Sequence, residues 1–156
     1  MRYELIILNS KDRKLILKDL REMFSIEKLP EVIYFCFNKK EKVYIATREI
    51  FEMQRDELRV NMFGMYFGKI MKDGFRLSLE GLNLVKDQIK TNIFNLTTEQ
   101  FREWILGRDI EVENEEDKNT YLIMKYQKDF VGVGKLKNNN IINYLPKSRK
   151  LQKVIL

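Results

Sequence analysis

The residues of this 156-residue chain that are most able to bind a ligand lie in the run DFVGVGKLKNNNIINYLPKSRKL, residues 129–151. Gly132 and Gly134 would share one face of a strand, where the absence of side chains would let a backbone or a base come close. Lysine and arginine side chains around that opening would bind phosphates, and asparagine amides would donate and accept hydrogen bonds. This mixture is typical of RNA recognition. The predicted RNA-binding residues are Lys125, Lys128, Gly132, Gly134, Lys135, Lys137, Asn138, Asn143, Lys147, Arg149 and Lys150.

Each of these features also has a purely structural interpretation. The two glycines could mark a tight bend of a barrel, with or without a binding surface beside it. Tyr126 and Tyr144 could stack on bases or pack on the barrel. The lysines could form a solvated surface that keeps the protein soluble, so the sequence leaves these alternatives open.

The distribution of charge favours a polyanionic partner. Residues 118–156 carry nine basic side chains against Asp129 alone, a net charge of +8, whereas residues 1–117 carry 20 basic and 22 acidic side chains. The whole positive excess of the chain therefore lies in its last quarter. Clustered lysine and arginine release condensed counterions when they contact phosphates, which is a strong contribution to nucleic-acid binding.

Residue types that commonly carry catalysis are scarce. The chain has no histidine, which excludes Ser–His and Cys–His nucleophilic systems and removes the commonest metal ligand. The run GVGKLK has neither the third glycine of a dinucleotide fingerprint nor the spacing of a phosphate loop. Cys36 lies in the apolar run Ile33–Phe37 and is expected to be buried. We therefore expect no enzyme activity, no cofactor and no metal site.

In the first 91 residues, segments with the apolar spacing of helices alternate with segments typical of β-strands. Ser10 is a predicted N-cap, and the apolar residues after it recur at helical spacing. Asp73-Gly74 is a strong hairpin signal between two β-rich runs. The predicted strands are residues 3–8, 32–37, 43–46, 58–71 and 75–79. A helix capped by Thr47 would extend to about Gln54 and bury Ile50, Phe51 and Met53, and Leu82, Leu84, Val85 and Ile89 are compatible with a later short helix before Asn92.

The rest of the chain has one helix and otherwise the pattern of short strands. Thr97 and Gln100 have the spacing of a capping box, and Gly107 lies where a C-terminal cap is expected. Strands are predicted at residues 92–96, 121–126, 130–137 and 141–142, with a turn at the three asparagines 138–140 and a solvated connection at 111–117. The elements predict an α+β protein, with an α/β N-terminal lobe in residues 1–91 and a small mixed β-barrel in residues 92–156.

Residues 101–151 resemble the PUA-type RNA-binding domain appended to RNA 5-methylcytosine methyltransferases of the Nol/Nop/Sun family. The resemblance rests on the motifs Leu106-Gly107-Arg108, Lys125-Tyr126, FVGVGK at 130–135 and NYLPKSR at 143–149. Residues 64–80, GMYFGKIMKDGFRLSLE, resemble the region that precedes the barrel in this family. The matching positions to which the family's binding role would transfer are Gly132, Gly134, Lys135, Asn143, Pro146, Lys147 and Arg149.

The resemblance implies an RNA-binding module without the enzyme. Methyltransferases of that family have a Rossmann-like domain with a glycine-rich S-adenosylmethionine loop and two catalytic cysteines, and this sequence shows neither. The implied partners are tRNA or rRNA, and the implied setting is RNA modification beside a separate enzyme, or ribosome or tRNA maturation. The alternative is a protein-interaction subunit that serves a separate RNA methyltransferase or assembly factor without contacting RNA.

The expected compartment is the cytoplasm. No run reaches the roughly 18 apolar residues of a membrane helix, and a lone cysteine cannot form an internal disulfide. We therefore predict no membrane partner.

Overall fold

The first of two sheets contains five strands in sequential order, all antiparallel. The computed structural model describes residues 4–54, 64–113 and 119–151, and the chain divides into a first unit, Met1–Ile89, and a second unit, Lys90–Leu156. The strands of the first unit are β1 Leu5–Ile7, β2 Ile33–Phe37, β3 Lys42–Ala46, β4 Met65–Met71 and β5 Gly74–Leu77. The hairpin predicted at Asp73-Gly74 is confirmed by the pairing of β4 with β5. Residues 58–63 of the predicted fourth strand lie outside the described residues.

The described residues of the first unit also form three α-helices: α1 Ser10–Phe24, α2 Arg48–Gln54 and α3 Leu79–Val85. The N-cap of α1 is Asn9 and not the predicted Ser10, because Asn9 and Asp12 form a reciprocal capping box. Phe51 is buried as predicted, but Ile50 is 47% exposed and Met53 74%. The predictions that these two side chains are buried are therefore wrong.

The second unit is an open sheet covered on one face by a helix. Its strands are β6 Ile93–Asn95, β7 Ile110–Glu111, β8 Thr120–Tyr126, β9 Asp129–Lys137 and β10 Asn140–Asn143, and its helix is α4 Thr98–Ile105. The strand order is β6-β8-β9-β10-β7, with β6 parallel to β8 and the other neighbours antiparallel. Two short 3₁₀ turns, Lys86–Gln88 and Lys147–Arg149, complete the described elements.

The predicted α+β class is confirmed, whereas the closed barrel is not formed by the described residues. No pairing joins β6 to β7 within the described part of the chain, so these two strands are the edges of the sheet. Strand β7 lies at the start of the segment 111–117 that was expected to be a solvated connection. Its two residues pair with Asn140 and Ile141. Two residues are too few to show the alternating pattern by which a strand is predicted from sequence. None of the described helices is long and apolar enough to cross a membrane.

The core of the second unit forms between α4 and the sheet. Trp104 is fully buried there with residues from four strands and the loop after β6: Leu96, Ile110, Leu122, Met124, Leu136 and Ile141. Helix α4 begins at the predicted capping box, since Thr97 Oγ1 accepts from the N–H of Gln100 and Gln100 Oε1 accepts from the N–H of Thr97. Gly107 follows the helix with a φ of +85°, a conformation that favours glycine, as predicted for a C-terminal cap.

Candidate nucleic-acid interface

The face of β9 that carries Gly132 and Gly134 lies under the indole of Trp104. A Cβ atom on Gly132 would lie 3.1 Å from Cζ2 of Trp104, and one on Gly134 would lie 3.2 Å from Cη2 of the same ring. Both glycines are buried. The space that the glycines leave is therefore filled by a core side chain and is not open to a base, which corrects the expected glycine surface.

A bulge in β9 sets this arrangement. The register passes from Met124 opposite Gly132 to Lys125 opposite Phe130, so Val131 is an extra residue without a strand partner. Gly132 has a φ of +147°, which other residues rarely adopt. The structural interpretation of this glycine, a bend in the sheet, is the one that the backbone supports.

Asn143 holds the loop after α4 against β10. Its Nδ2 donates to the carbonyl oxygens of Trp104 at 2.8 Å and of Arg108 at 2.9 Å, and its Oδ1 accepts from the N–H of Leu145 at 2.8 Å. Its own N–H donates to Oδ1 of Asp109 at 2.9 Å. Both amide hydrogens of Asn143 therefore have partners inside the protein, and the side chain acts as a structural clamp. Its predicted contact with RNA stays a prediction.

Three predicted cations lie together beside the C-terminal end of α4, and we call them the 147–150 cluster: Lys147, Arg149 and Lys150. The aliphatic stem of Lys150 covers Gly107, and the N–H of Leu151 donates to the carbonyl oxygen of Ile105 at 2.7 Å. Lys147 and Arg149 are exposed. The segment that bears these charges is thus anchored to the helix, and cations near a helix C-terminus are also favoured by its dipole.

The other predicted cations do not join this cluster. Lys135 lies 5.5 Å from the ring centre of Tyr121 and Lys125 lies 5.8 Å from that of Phe130, on the sheet face opposite to Trp104. Lys128 lies in the turn before β9, and Lys137 with Asn138 lies at the turn after it. These two turns are separated by nine residues of strand, about 30 Å at a rise of about 3.3 Å per residue. The eleven predicted residues therefore occupy several separate places.

Tyr126, considered for base stacking, is engaged within the second unit. Its ring stacks on Phe101 with centroids 4.1 Å apart and planes 6° apart. Its hydroxyl also lies 3.2 Å from Oγ1 of Thr98. Tyr144 lies near Tyr121, with ring centroids 6.4 Å apart. The packing alternative is the one that the structure shows for Tyr126.

The same part of the chain matches a known domain family. Residues 91–151 match the family model of the methyltransferase RsmF PUA domain. Residues 91–151 are similar to a PUA domain of that type, and they are called the PUA domain below. The resemblance predicted from the sequence is confirmed, and the PUA domain comprises β6 to β10, α4 and the 147–150 cluster.

Curated relatives carry similar sequence within longer chains. Ribosomal RNA small subunit methyltransferase F of Vibrio campbellii (strain ATCC BAA-1116) is 29% identical over 143 residues, which cover 89% of this chain and 29% of that protein. The proteins of the same name from Vibrio cholerae serotype O1 (strain M66-2) and Aliivibrio fischeri (strain MJ11) are 29% and 32% identical, over 64% and 58% of this chain. The chain spans only 19% to 29% of the length of these three relatives.

The roles of two residues in the PUA domain were not predicted from the sequence. Asp109 accepts from the backbone of Asn143, and Trp104 fills the space above the glycines. A signal for Trp104 was present, since it follows Phe101 at a spacing of three residues on the apolar side of α4. Asp109 had no such signal, because its partner lies 34 positions further along the chain.

Proposed function

We propose that this protein binds structured RNA, such as tRNA or rRNA, and that it catalyses no reaction itself. The observation that carries the proposal is the 147–150 cluster, a set of cations anchored beside α4 in a PUA domain. Relatives that share this domain are named as ribosomal RNA methyltransferases. We infer a role in RNA modification or in ribosome or tRNA maturation, in the cytoplasm.

The charge of residues 119–151, the last part of the PUA domain, suits a phosphate backbone. Residues 119–151 contain seven lysine and arginine residues and a single acidic residue, Asp129. Asp129 starts β9, at the end of that strand where Lys128 lies, and so it does not belong to the segment of the cluster. Each phosphate neutralised by a cation releases counterions, which makes such binding favourable and sensitive to salt.

Anchoring should add to the effect of charge. A lysine on a mobile segment loses conformational entropy when it binds, whereas one held by a folded segment has lost part of that entropy already. The hydrogen bond from Leu151 to Ile105 and the contact of Lys150 with Gly107 hold the cluster in this way. The surface proposed here therefore consists of Lys147, Arg149 and Lys150, and it does not include Gly132, Gly134 and Asn143.

A partner enzyme is a second proposal. The relatives combine sequence like that of this chain with a much longer remainder, and their name describes a methyltransferase. In this proposal the protein binds the RNA and positions it for a separate RNA-modifying enzyme. The alternative is a protein-interaction subunit that binds the enzyme without contacting RNA. A complex that survives nuclease treatment and high salt would favour the latter.

The deciding experiment is a salt titration of tRNA binding. K147A/R149A should bind more weakly than the wild type. The negative slope of log Kobs against log salt should become shallower, by about 0.7–0.9 for each phosphate that the variant leaves without a cation. K72A/K90A removes two exposed lysines outside the cluster and has the same change in charge, so it is the matched control. Equal affinities and slopes for the two double variants would exclude the cluster from the interface.

A further inference from the structure

The first unit contains a groove that the proposed PUA interface does not use. Its volume is about 720 Å³, and it lies between α1, α2 and the segment that leads into β2. Ligand sites in proteins occupy about 300–1,000 Å³ and are mostly apolar with a few polar groups. Aliphatic side chains form much of the wall, namely Leu17, Leu29, Pro30, Val32 and Ile33.

Cations from two helices line the same groove. Arg13 and Lys14 belong to α1, and Arg48 begins α2. The guanidinium of Arg13 donates from Nη1 to the carbonyl oxygen of Leu8 at 3.0 Å, which fixes its position. Lys14 and Arg48 are exposed. The groove therefore offers two accessible cations beside an apolar wall, with a third cation held in place.

Two carboxylates also line the groove, and they weigh against a purely cationic site. Oε1 of Glu31 lies 3.9 Å from Nζ of Lys28, so this lysine partly neutralises its charge. The side chain of Glu31 is also 87% exposed, so solvent screens it. Glu52 is exposed on α2, one turn after Arg48. Cations outnumber carboxylates by three to two among the lining residues, and one of the two carboxylates has a lysine of its own.

We propose that this groove binds a single-stranded segment of the RNA that the PUA domain recognises, which makes the protein a two-site RNA-binding protein. This inference rests on the proposed function. Phosphates would contact Lys14 and Arg48, and riboses and bases would contact the aliphatic wall. A single strand supplies both kinds of group, whereas an A-form duplex keeps its bases stacked inside.

The aromatic rings that line the groove are too buried to stack on bases. Tyr34 and Phe51 line it, but they are only 1% and 2% exposed. Single-strand proteins that stack bases use exposed rings, and these two rings are covered. Contact through aliphatic carbons gives little discrimination among bases, so we expect weak sequence preference. An acidic segment of a partner protein is the competing occupant, because it also combines negative charge with apolar side chains.

Two RNA probes separate the two sites. One is a fluorescein-labelled ribonucleotide hairpin with a single-stranded extension of about twelve nucleotides, within the span of known single-strand sites. The other is the same hairpin with a blunt end. The full chain should bind the extended hairpin more tightly, and K14A/R48A should remove most of this difference, weakening the extended hairpin by about tenfold. The salt slope for that probe should fall by about 0.7 for each phosphate left without a cation.

The control variant changes charge on the same helix outside the groove. K11A/K18A removes two exposed lysines of α1 that do not line the groove, and it should bind both probes as the wild type does. E52Q removes a lining carboxylate and should tighten binding of the extended hairpin. All these side chains are exposed, so the variants should unfold thermally at the wild-type temperature.

The outcomes distinguish this inference from the proposed function. If the wild type binds neither hairpin, both the inference and the proposed function are wrong. If the wild type binds RNA but K14A/R48A and K11A/K18A behave alike, only the groove is excluded, and a protein partner becomes its better occupant. If K14A/R48A weakens both hairpins equally, the groove does not select a single strand and the inference is wrong.

Discussion

The indole Nε1 of Trp104 donates a hydrogen bond to the carbonyl oxygen of Val131 at 3.0 Å. Val131 is the extra residue of the bulge in β9, so the bulge presents a carbonyl group to a helix rather than to a neighbouring strand. The ring then lies over Gly132 and Gly134. One side chain thus joins α4 to the sheet, satisfies a backbone group that the bulge freed and fills the space above two glycines.

Gly134→Ala should destabilise the PUA domain. The added Cβ would lie 2.5 Å from Cγ2 of Ile141 and 3.0 Å from the carbonyl oxygen of Ile142, and backbone cannot yield as a flexible side chain can. Overpacking of a core typically costs about 1–3 kcal/mol in the free energy of unfolding. Urea denaturation followed by fluorescence measures this cost, since Trp104 is the only tryptophan of the chain.

The double variant G134A/I141A tests the proposed clash. Ile141→Ala removes the side-chain atom that the new Cβ would meet, so the two costs should be less than additive. Additive costs would show that the two positions do not compete for the same space.

Local signals predicted the elements of the PUA domain better than its surface. Thr97 and Gln100 specify the start of α4 because both partners of the capping box lie within one turn. The alternation of β9 correctly placed Gly132 and Gly134 on one face. What covers that face depends on Trp104, whose partner Val131 lies 27 positions away, and no local pattern reports such a pairing. The parallel pairing of β6 with β8 and the short strand β7 depend on distant partners in the same way.

Errors in the first unit have a similar origin. A helix as short as α2 has too few apolar positions to define one buried face, so Phe51 is buried while Ile50 and Met53 are exposed. Asn9 and Ser10 are adjacent capping residues, and the choice between them is made by Asp12, which stands three positions after Asn9. The groove could not be predicted, because its walls come from α1, α2 and the segment before β2.

The stability of the first unit should depend on pH through Glu41. Hydrogen bonds from Lys39 at 2.6 Å and from Lys69 at 2.8 Å lower the pKa of the Glu41 carboxyl to about 2. A carboxyl whose pKa is lower in the folded state than its ordinary 4.5 stabilises the fold above that value. This contribution should be lost as the pH falls from 4.5 towards 2, because the carboxyl is then protonated in both states.

Glu41→Gln removes this dependence. The variant should melt at a lower temperature than the wild type at pH 7, and the two melting curves should converge as the pH approaches 2. Asp12 also has a lowered pKa: burial acts to raise it, but the hydrogen bonds from Lys40 and from the Asn9 backbone together outweigh that effect. Asp12 is present in both proteins, so its contribution cancels in the difference between their melting temperatures. A constant difference in melting temperature from pH 7 to pH 2 would contradict the role of Glu41.

Asn143→Ala should loosen the segment that carries the 147–150 cluster. The substitution removes two donated hydrogen bonds, to Trp104 and Arg108, and one accepted from Leu145. At about 1 kcal/mol for each net hydrogen bond, we expect a loss of about 2–3 kcal/mol in the free energy of unfolding. Asn140→Ala is the matched control, because the amide of Asn140 makes only a 3.4 Å contact with Asp109.

A second measurement separates the clamp from an RNA contact. The Leu151 N–H donates to the carbonyl oxygen of Ile105, and its hydrogen exchange should become faster in Asn143→Ala. The substitution releases Leu145, the residue from which the chain continues into the 147–150 cluster. RNA affinity should fall while the salt slope stays at the wild-type value, since every cation that binds a phosphate is kept and only the order of the segment changes. If the slope falls as it does in K147A/R149A, Asn143 lies close enough to the RNA to affect phosphate binding directly. If exchange at Leu151 is unchanged, the anchoring of the cluster does not depend on the Asn143 clamp.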